Sequence, residues 1–314
     1  MLVQNDQLEV TIPPTRRLSV QLPRWRQELK LNWRFIRRDI TVTLIPGLLF
    51  TIAAILQQSS QPQAIDGVAV FNAVSKILVF EWFCITAFCI SNQIVSLDED
   101  RMNKPDRPLV SGLLTYEGAI FRLIAASVGL MFFSSLWGVG LWAGLWLGCT
   151  ALYNQAKWSS NWFWKSVLVA VLMLAELAAA WQIIMPITSF AWAWIALVVT
   201  AWTFVGHLQD MRDIEGDAAT GRKTLPILLG ESVTRWQICL GFLTLPIASH
   251  LLMQWANASI ANLILWDVIL AILCGAIAWR ILKRRSAAAD HKTYMIFTYW
   301  YCAVTASAAC LPLF

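Results

Sequence analysis

The chain has 314 residues, 58% hydrophobic and 14% charged, where an ordinary soluble domain carries roughly 45–50% and 25%. With a mean hydropathy of +0.59 the excess has to face lipid. This excludes a secreted scaffold, a disordered regulator and a nucleic-acid module, although the net charge is +5. Divided into spans of about 20 residues, the length accommodates about nine helices, short loops and no sizeable extramembrane domain. All seven cysteines (Cys84, Cys89, Cys149, Cys239, Cys274, Cys302, Cys310) lie in apolar stretches without a Cys-x-x-Cys pair, which reads as reduced core residues.

Residues 1–38 form a polar, basic segment with no apolar h-region, so no cleavable signal is expected and the first apolar run is a retained span. The rest, 39–314, reads as a single transmembrane helical domain. Its apolar runs fall near 39–57, 71–96, 117–136, 138–153, 164–185, 190–208, 236–255, 260–282 and 293–313. Pro46 and Gly47 interrupt the first run, a break that neighbouring helices can satisfy in a membrane; the run is kept as one helix with room for a kink. Of the 24 lysines and arginines, eight precede the first span and fifteen cluster at the exits of the even-numbered spans. Lys76 alone lies near the opposite end. The positive-inside rule then places the N-terminus in the cytoplasm and the C-terminus across the membrane, in the endoplasmic reticulum if the cell is eukaryotic. The longer polar segments, near 92–116 and 207–235, share that cytoplasmic face.

These two segments carry the acidic residues that point to chemistry. The first holds Asn92, Asp98, Glu99 and Asp100, then Asn103, Lys104, Pro105, Asp106, Arg107 and Pro108. The second holds His207, Asp210, Asp213, Glu215 and Asp217, followed by Gly221, Arg222, Lys223 and Thr224. On a continuing helix Asp210, Asp213 and Asp217 share one face, where like charges repel unless a cation sits among them. An oxygen-only donor set suits Mg²⁺, which bridges a few carboxylates to a phosphate and keeps waters. Lys104, Arg107, Arg222 and Lys223 beside the acids make a diphosphate the natural second ligand. The bland alternative is a pair of solvated loops; two of them on one face, in a chain with only 19 acidic residues, weigh against it.

With these motifs the chain resembles the UbiA superfamily of intramembrane prenyltransferases. That family's first motif, Asn-x-x-x-Asp-x-x-x-Asp with a following Asn-Lys-Pro-x-Arg-Pro, is matched by Asn92, Asp100 and residues 103–108, with Ser96 where the central aspartate belongs. Its second, Asp-x-x-x-Asp-x-x-x-Gly, is matched by Asp213, Asp217 and Gly221, with Asp210 as an upstream acid and Thr224, Leu225 and Pro226 continuing the likeness. The resemblance implies a nine-helix, all-α membrane bundle. It implies Mg²⁺ held by Asn92, Asp98, Glu99, Asp100, Asp210, Asp213 and Asp217, of which Asn92, Asp100, Asp213 and Asp217 are the catalytic set. It also implies an isoprenyl diphosphate whose tail lies in an apolar chamber and leaves an allylic cation when the diphosphate departs. A hydroxyl at Ser96 cannot replace a carboxylate charge; Asp98 and Glu99 are the candidates to compensate.

Eighteen tryptophans offer cation–π faces for such a cation, although the membrane interface claims most of them. Phe88, Tyr153 and Trp202 are the chamber candidates by their depth near the motifs. Glu81, Glu176 and Asp267 stand within or near the ends of spans, where ionised groups are costly and therefore functional suspects. Glu176 is the most central, divided between an interhelical hydrogen bond and a cavity role. His207 could orient Asp210 or simply be satisfied by a carbonyl, and His250 and His291 have no partner in sequence. The reading favours a terpene cyclase acting on farnesyl or geranylgeranyl diphosphate, because Ser96 departs from the transferase pattern and nothing marks a polar acceptor pocket. The alternatives are a prenyltransferase with an aromatic or other small acceptor and, behind it, a transporter of an anionic solute, which would place coupling charges near the midplane. The expected partners are the isoprenyl diphosphate and the bilayer, with no nucleic acid and no obligate protein partner evident.

Overall fold

A computed structural model describes residues 24–59 and 66–309; most of the basic N-terminal segment, Cys310 and the end of the last apolar run lie outside the described residues. Thirteen α-helices follow one another: α1 (Arg24–Ile36), α2 (Leu44–Ser59), α3 (Gly67–Val95), α4 (Leu97–Asn103), α5 (Tyr116–Leu136), α6 (Gly140–Tyr153), α7 (Trp162–Gln182), α8 (Ser189–Val205), α9 (Ile214–Ala219), α10 (Leu225–Leu229), α11 (Glu231–Trp255), α12 (Ile260–Lys283) and α13 (Ala287–Ser307). Among the described residues seven segments are long and apolar enough to cross a membrane. α6, at 14 residues, and α13, which carries Asp290 near its start, pack with them into the same bundle. The nine expected runs therefore all become helices of one all-α membrane bundle, but length and apolarity mark only seven as spans by themselves.

The boundaries have local causes. Asp66, Thr115, Asn161, Thr188, Ser259 and Ser286 cap α3, α5, α7, α8, α12 and α13, each side chain accepting from a backbone N–H of the first turn, which satisfies donors that would otherwise be stranded at the edge of lipid. Gly138, at φ +73°, makes the sharp turn between α5 and α6 that a side chain would strain. Pro46 does not kink a helix. A 3₁₀ turn over Ile40–Val42 precedes α2, so the proline falls in the first helical turn, where its missing N–H costs nothing.

α1 is amphipathic, with Trp25, Leu29 and Trp33 exposed at four-residue spacing, a face suited to the lipid interface. Seven tryptophans (Trp142, Trp146, Trp181, Trp194, Trp202, Trp266 and Trp300) are instead buried inside the bundle. The six described cysteines are free, and all but half-buried Cys302 are buried.

Two corrections concern the acidic segments. Residues 92–95 are the last turn of α3 and Leu97–Asn103 is a helix, so the first segment, expected as a loop over 92–116, is helical as far as Asn103 apart from Ser96. The second does not continue the helix before it. α8 gives way to a 3₁₀ stretch over Gly206–Arg212, Asp213 is non-helical at φ −111°, and α9 starts afresh. Asp210, Asp213 and Asp217 consequently do not share one helical face. α4 packs on α9, which brings the two segments together at the charged end of the bundle.

Candidate active site

At that end each buried acid has found a base. Arg107 donates to both oxygens of Asp100, at 2.8 and 2.6 Å, and to Oδ1 of Asn92 at 3.0 Å. Asn92 in turn donates to Asn154, and Asn154 to Ser91. Lys165 of α7 pairs with Asp210, Arg212 with Asp213 at 3.1 Å, and Arg222 bridges Glu99 and Asp217, both at 3.2 Å. A buried carboxylate alone would bear a desolvation penalty of several kcal/mol, so pairing is the condition for keeping it charged.

Ser96 is the C-cap of α3. Its hydroxyl lies 2.8 Å from the Asn92 carbonyl and 3.0 Å from Asp100, so it braces the motif where the family pattern has a carboxylate. Of the two neighbours considered as compensation, the Asp98 side chain is 89% exposed and paired with Arg101. Glu99 is buried and reaches Arg222. Of the two, Glu99 is therefore the one that pairs with a base of the second acidic segment.

The four expected diphosphate-binding bases do not converge. Lys104 and Arg107 line a basin of about 540 Å³ together with Arg37, Arg38, Asp39, Arg212, Asp213 and His291. Arg222 lines a smaller one of about 220 Å³ with Ser96, Asp98, Glu99, Asn154 and Lys157. Lys223 is exposed and lines neither; its backbone instead bridges to Asn161 and Ser160. Burial and the adjacent Arg107 hold the Lys104 ammonium below its ordinary pKa. Burial pushes the Asp213 carboxyl up, but Arg212 and Lys104 outweigh it and hold the group below the carboxylate range. The larger basin thus gathers five cationic side chains, of which Arg37 and Arg38 share Asp106, Arg107 holds Asp100 and Arg212 holds Asp213.

Phe88, Tyr153 and Trp202 line one apolar cavity, with Ile85, Trp146, Leu172, Met173 and Tyr294. Phe88 and Tyr153 rings stand 5.4 Å apart. Asp39 lines both this chamber and the larger basin, so the two adjoin there. Arg212 sits 4.6 Å over the Tyr294 ring at the same junction.

Several of these residues escape sequence reading. Arg37 and Arg38 register only as positive-inside charges, and Asp39 as the edge of a span. Lys165 and Tyr294 stand inside apolar runs. His207, with Nδ1 3.8 Å from Asp210 Oδ2, lies beyond hydrogen-bond distance of the aspartate it could have oriented. His250 pairs with Asp267 at 2.7 Å and His291 contacts Arg212 at 3.3 Å, both partners distant in sequence.

Among the described residues no three His, Cys, Asp or Glu side chains form a ready-made metal cage. The donors nevertheless suit a hard cation that is completed by substrate. Oδ2 of Asp210 and Oδ2 of Asp217 are buried without a hydrogen-bond partner, and burial pushes the Asp217 carboxyl up, so a positive ligand there would relieve an existing cost. Mg²⁺ characteristically takes one or two carboxylates and fills its remaining positions with phosphate and water.

Known proteins of similar sequence and fold bear on this arrangement. The profile of the UbiA prenyltransferase family matches residues 45–302. Somaliensene A/B synthase of Streptomyces somaliensis is 36% identical over 93% of this chain and 95% of its own. From Hericium erinaceus, diterpene cyclase eriG is 34% identical (90% and 89% covered) and polyprenyl transferase eriF 32% (88% and 92%). Among solved structures, a UbiA homologue from Archaeoglobus fulgidus bound to GPP and Mg²⁺ superposes with a TM-score of 0.64 at 14% identity, covering 89% of this chain and 99% of that one, which is likeness of fold.

Proposed function

This chain belongs to the UbiA prenyltransferase family, and on that premise we propose that it is a membrane-embedded, Mg²⁺-dependent terpene cyclase. It ionises farnesyl or geranylgeranyl diphosphate and cyclises the allylic cation. The observation that carries the reading is the junction at Asp39, where a basin holding five cationic side chains adjoins an aromatic-walled apolar chamber. An amphiphile with a dianionic head and a hydrocarbon tail matches both halves.

The diphosphate lies against Arg37, Arg38, Lys104, Arg107 and Arg212, whose charges offset the anion and steer it to the face. As the C–O bond to the allylic carbon breaks, negative charge grows on the departing oxygens; these fixed cations stabilise it without having to reorganise. Asp210 and Asp217, with their unpaired oxygens, would hold the magnesium ion, and Asp100, Asp213, Asn92 and Glu99 would be its further candidate ligands. Bound there, the ion supplies Lewis-acid stabilisation of the leaving group. The tail enters past Asp39 between Phe88, Tyr153 and Trp202, whose ring faces attract the allylic cation. Their apolar neighbours keep water away from it. By the positive-inside rule the charged end faces the cytoplasm.

The supporting comparison is identity of 36% and 34% with proteins named as a synthase and a cyclase. Identity of 32% with a polyprenyl transferase keeps a second reading, in which the cation meets an external acceptor. Purified protein given Mg²⁺ and either diphosphate without an acceptor separates the two. The cyclase releases diphosphate and yields a cyclic hydrocarbon by mass spectrometry; release only after an aromatic acceptor is added overturns the cyclase and establishes the transferase.

A further inference from the structure

Glu81 and Glu176 are both wholly excluded from solvent. Both carboxyl oxygens of Glu81 and Oε2 of Glu176 lack a hydrogen-bond partner. The remaining oxygen, Oε1 of Glu176, accepts from the Tyr301 hydroxyl at 3.2 Å. The two carboxyl groups lie within electrostatic reach of each other. α2 is admitted alongside by a glycine: a Cβ on Gly47 would stand 2.5 Å from Oε1 of Glu81.

Their position relative to the chamber follows from helical periodicity. On α3, Glu81 is one turn beyond Ile85 and two beyond Phe88. On α7, Glu176 is one turn beyond Leu172, and on α13 Tyr301 is two turns beyond Tyr294. Ile85, Phe88, Leu172 and Tyr294 all line the chamber, and Trp202, which also lines it, meets the Tyr301 ring edge-on at 6.0 Å. α3 ends at the charged face whereas α7 and α13 begin there, so all three displacements run the same way, away from that face. The three polar side chains therefore lie just beyond the inner end of the chamber, behind the residues that line it.

A carboxylate in such a place is costly unless a cation comes beside it, and among the described residues neither glutamate forms an ion pair with a base. A hydrocarbon cation held in the chamber is a partner of the missing kind. We propose that Glu81 and Glu176, with Tyr301 positioning Glu176, form the base that ends the cyclisation. In the singly protonated pair one carboxylate faces the cation. The C–H bond on the carbon next to the cationic centre breaks, its electron pair becomes the new C=C bond, and the proton passes to the carboxylate. An uncharged hydrocarbon and two neutral carboxyl groups remain; the proton returns to water as product leaves. This inference rests on the cyclase reading.

The test is the ratio of the parent's own cyclic hydrocarbon to released diphosphate, measured for the parent, Glu81→Gln and Glu176→Gln with Mg²⁺ and whichever of the two diphosphates the parent consumes. Removing a general base lowers that ratio by about a hundredfold, with linear or differently terminated products in place of the parent's. An unchanged ratio in both variants overturns the assignment. Should neither glutamine variant yield folded protein, Tyr301→Phe deletes one hydroxyl from a packed ring and lowers the ratio by about tenfold; an unchanged ratio there overturns it equally. A parent that makes no cyclic hydrocarbon overturns the cyclase reading itself, a result distinct from an unchanged ratio.

Discussion

The two ends of the chamber handle buried acid in opposite ways. At the charged end Asp100, Asp210, Asp213, Asp217 and Glu99 each have an arginine or lysine beside them. At the inner end Glu81 and Glu176 are buried at least as completely, and among the described residues neither has a base beside it, Glu176 accepting only from a tyrosine. Paired acids hold cations that can be exchanged for others, which suits a face that receives an anion together with a cation. Unpaired acids gain from charge only when a cation arrives, which suits a site visited by one during turnover. The same residue types thus serve binding or acid–base chemistry according to what packs beside them.

The largest expected effect tests the charged end. Asp217→Ala removes an unpaired carboxylate oxygen and should slow diphosphate release by about a thousandfold, while circular dichroism in detergent stays helical; release within tenfold of the parent would remove Asp217 from the site. Next comes Lys165→Met, which leaves Asp210 buried without its base and should cost about 3–5 kcal/mol of stability. Thermal unfolding in detergent reads this loss, and adding Asp210→Asn should recover part of it; a melt no lower than the parent's would show that Asp210 does not depend on Lys165. The smallest effect belongs to Asp98→Ala. Its side chain is 89% exposed, so stability should move by no more than about 0.5 kcal/mol and diphosphate release should hold near the parent rate. A large loss of activity would return Asp98 to the place here given to Glu99.

Much of this was legible in the chain. The run read as 164–185 is the helix Trp162–Gln182, and that read as 260–282 is Ile260–Lys283, because hydropathy and caps are local properties. Phe88, Tyr153 and Trp202, chosen only for depth beside the motifs, line one cavity. The pairings were not legible. Lys165 stands 45 residues from Asp210, and Arg37 sits far from Lys104 in the chain although they share a basin. The i, i+3, i+7 spacing of Asp210, Asp213 and Asp217 also misled, since it assumes one unbroken helix where a 3₁₀ stretch ends at Arg212. The spacing of three acids cannot reveal whether the backbone beneath them stays helical.

What the sequence determined alone was the solvent, the long apolar helices and the end of the bundle at which charge gathers. Transfer of apolar surface to lipid adds residue by residue along the chain, so it can be summed without knowing the fold. What only the tertiary structure decided was which base answers which acid, that the bases divide between two basins, and that Glu81, Glu176 and Tyr301 meet. Coulombic and hydrogen-bond energies depend on distances of a few ångströms between side chains from different helices, and those distances exist only once the helices have packed.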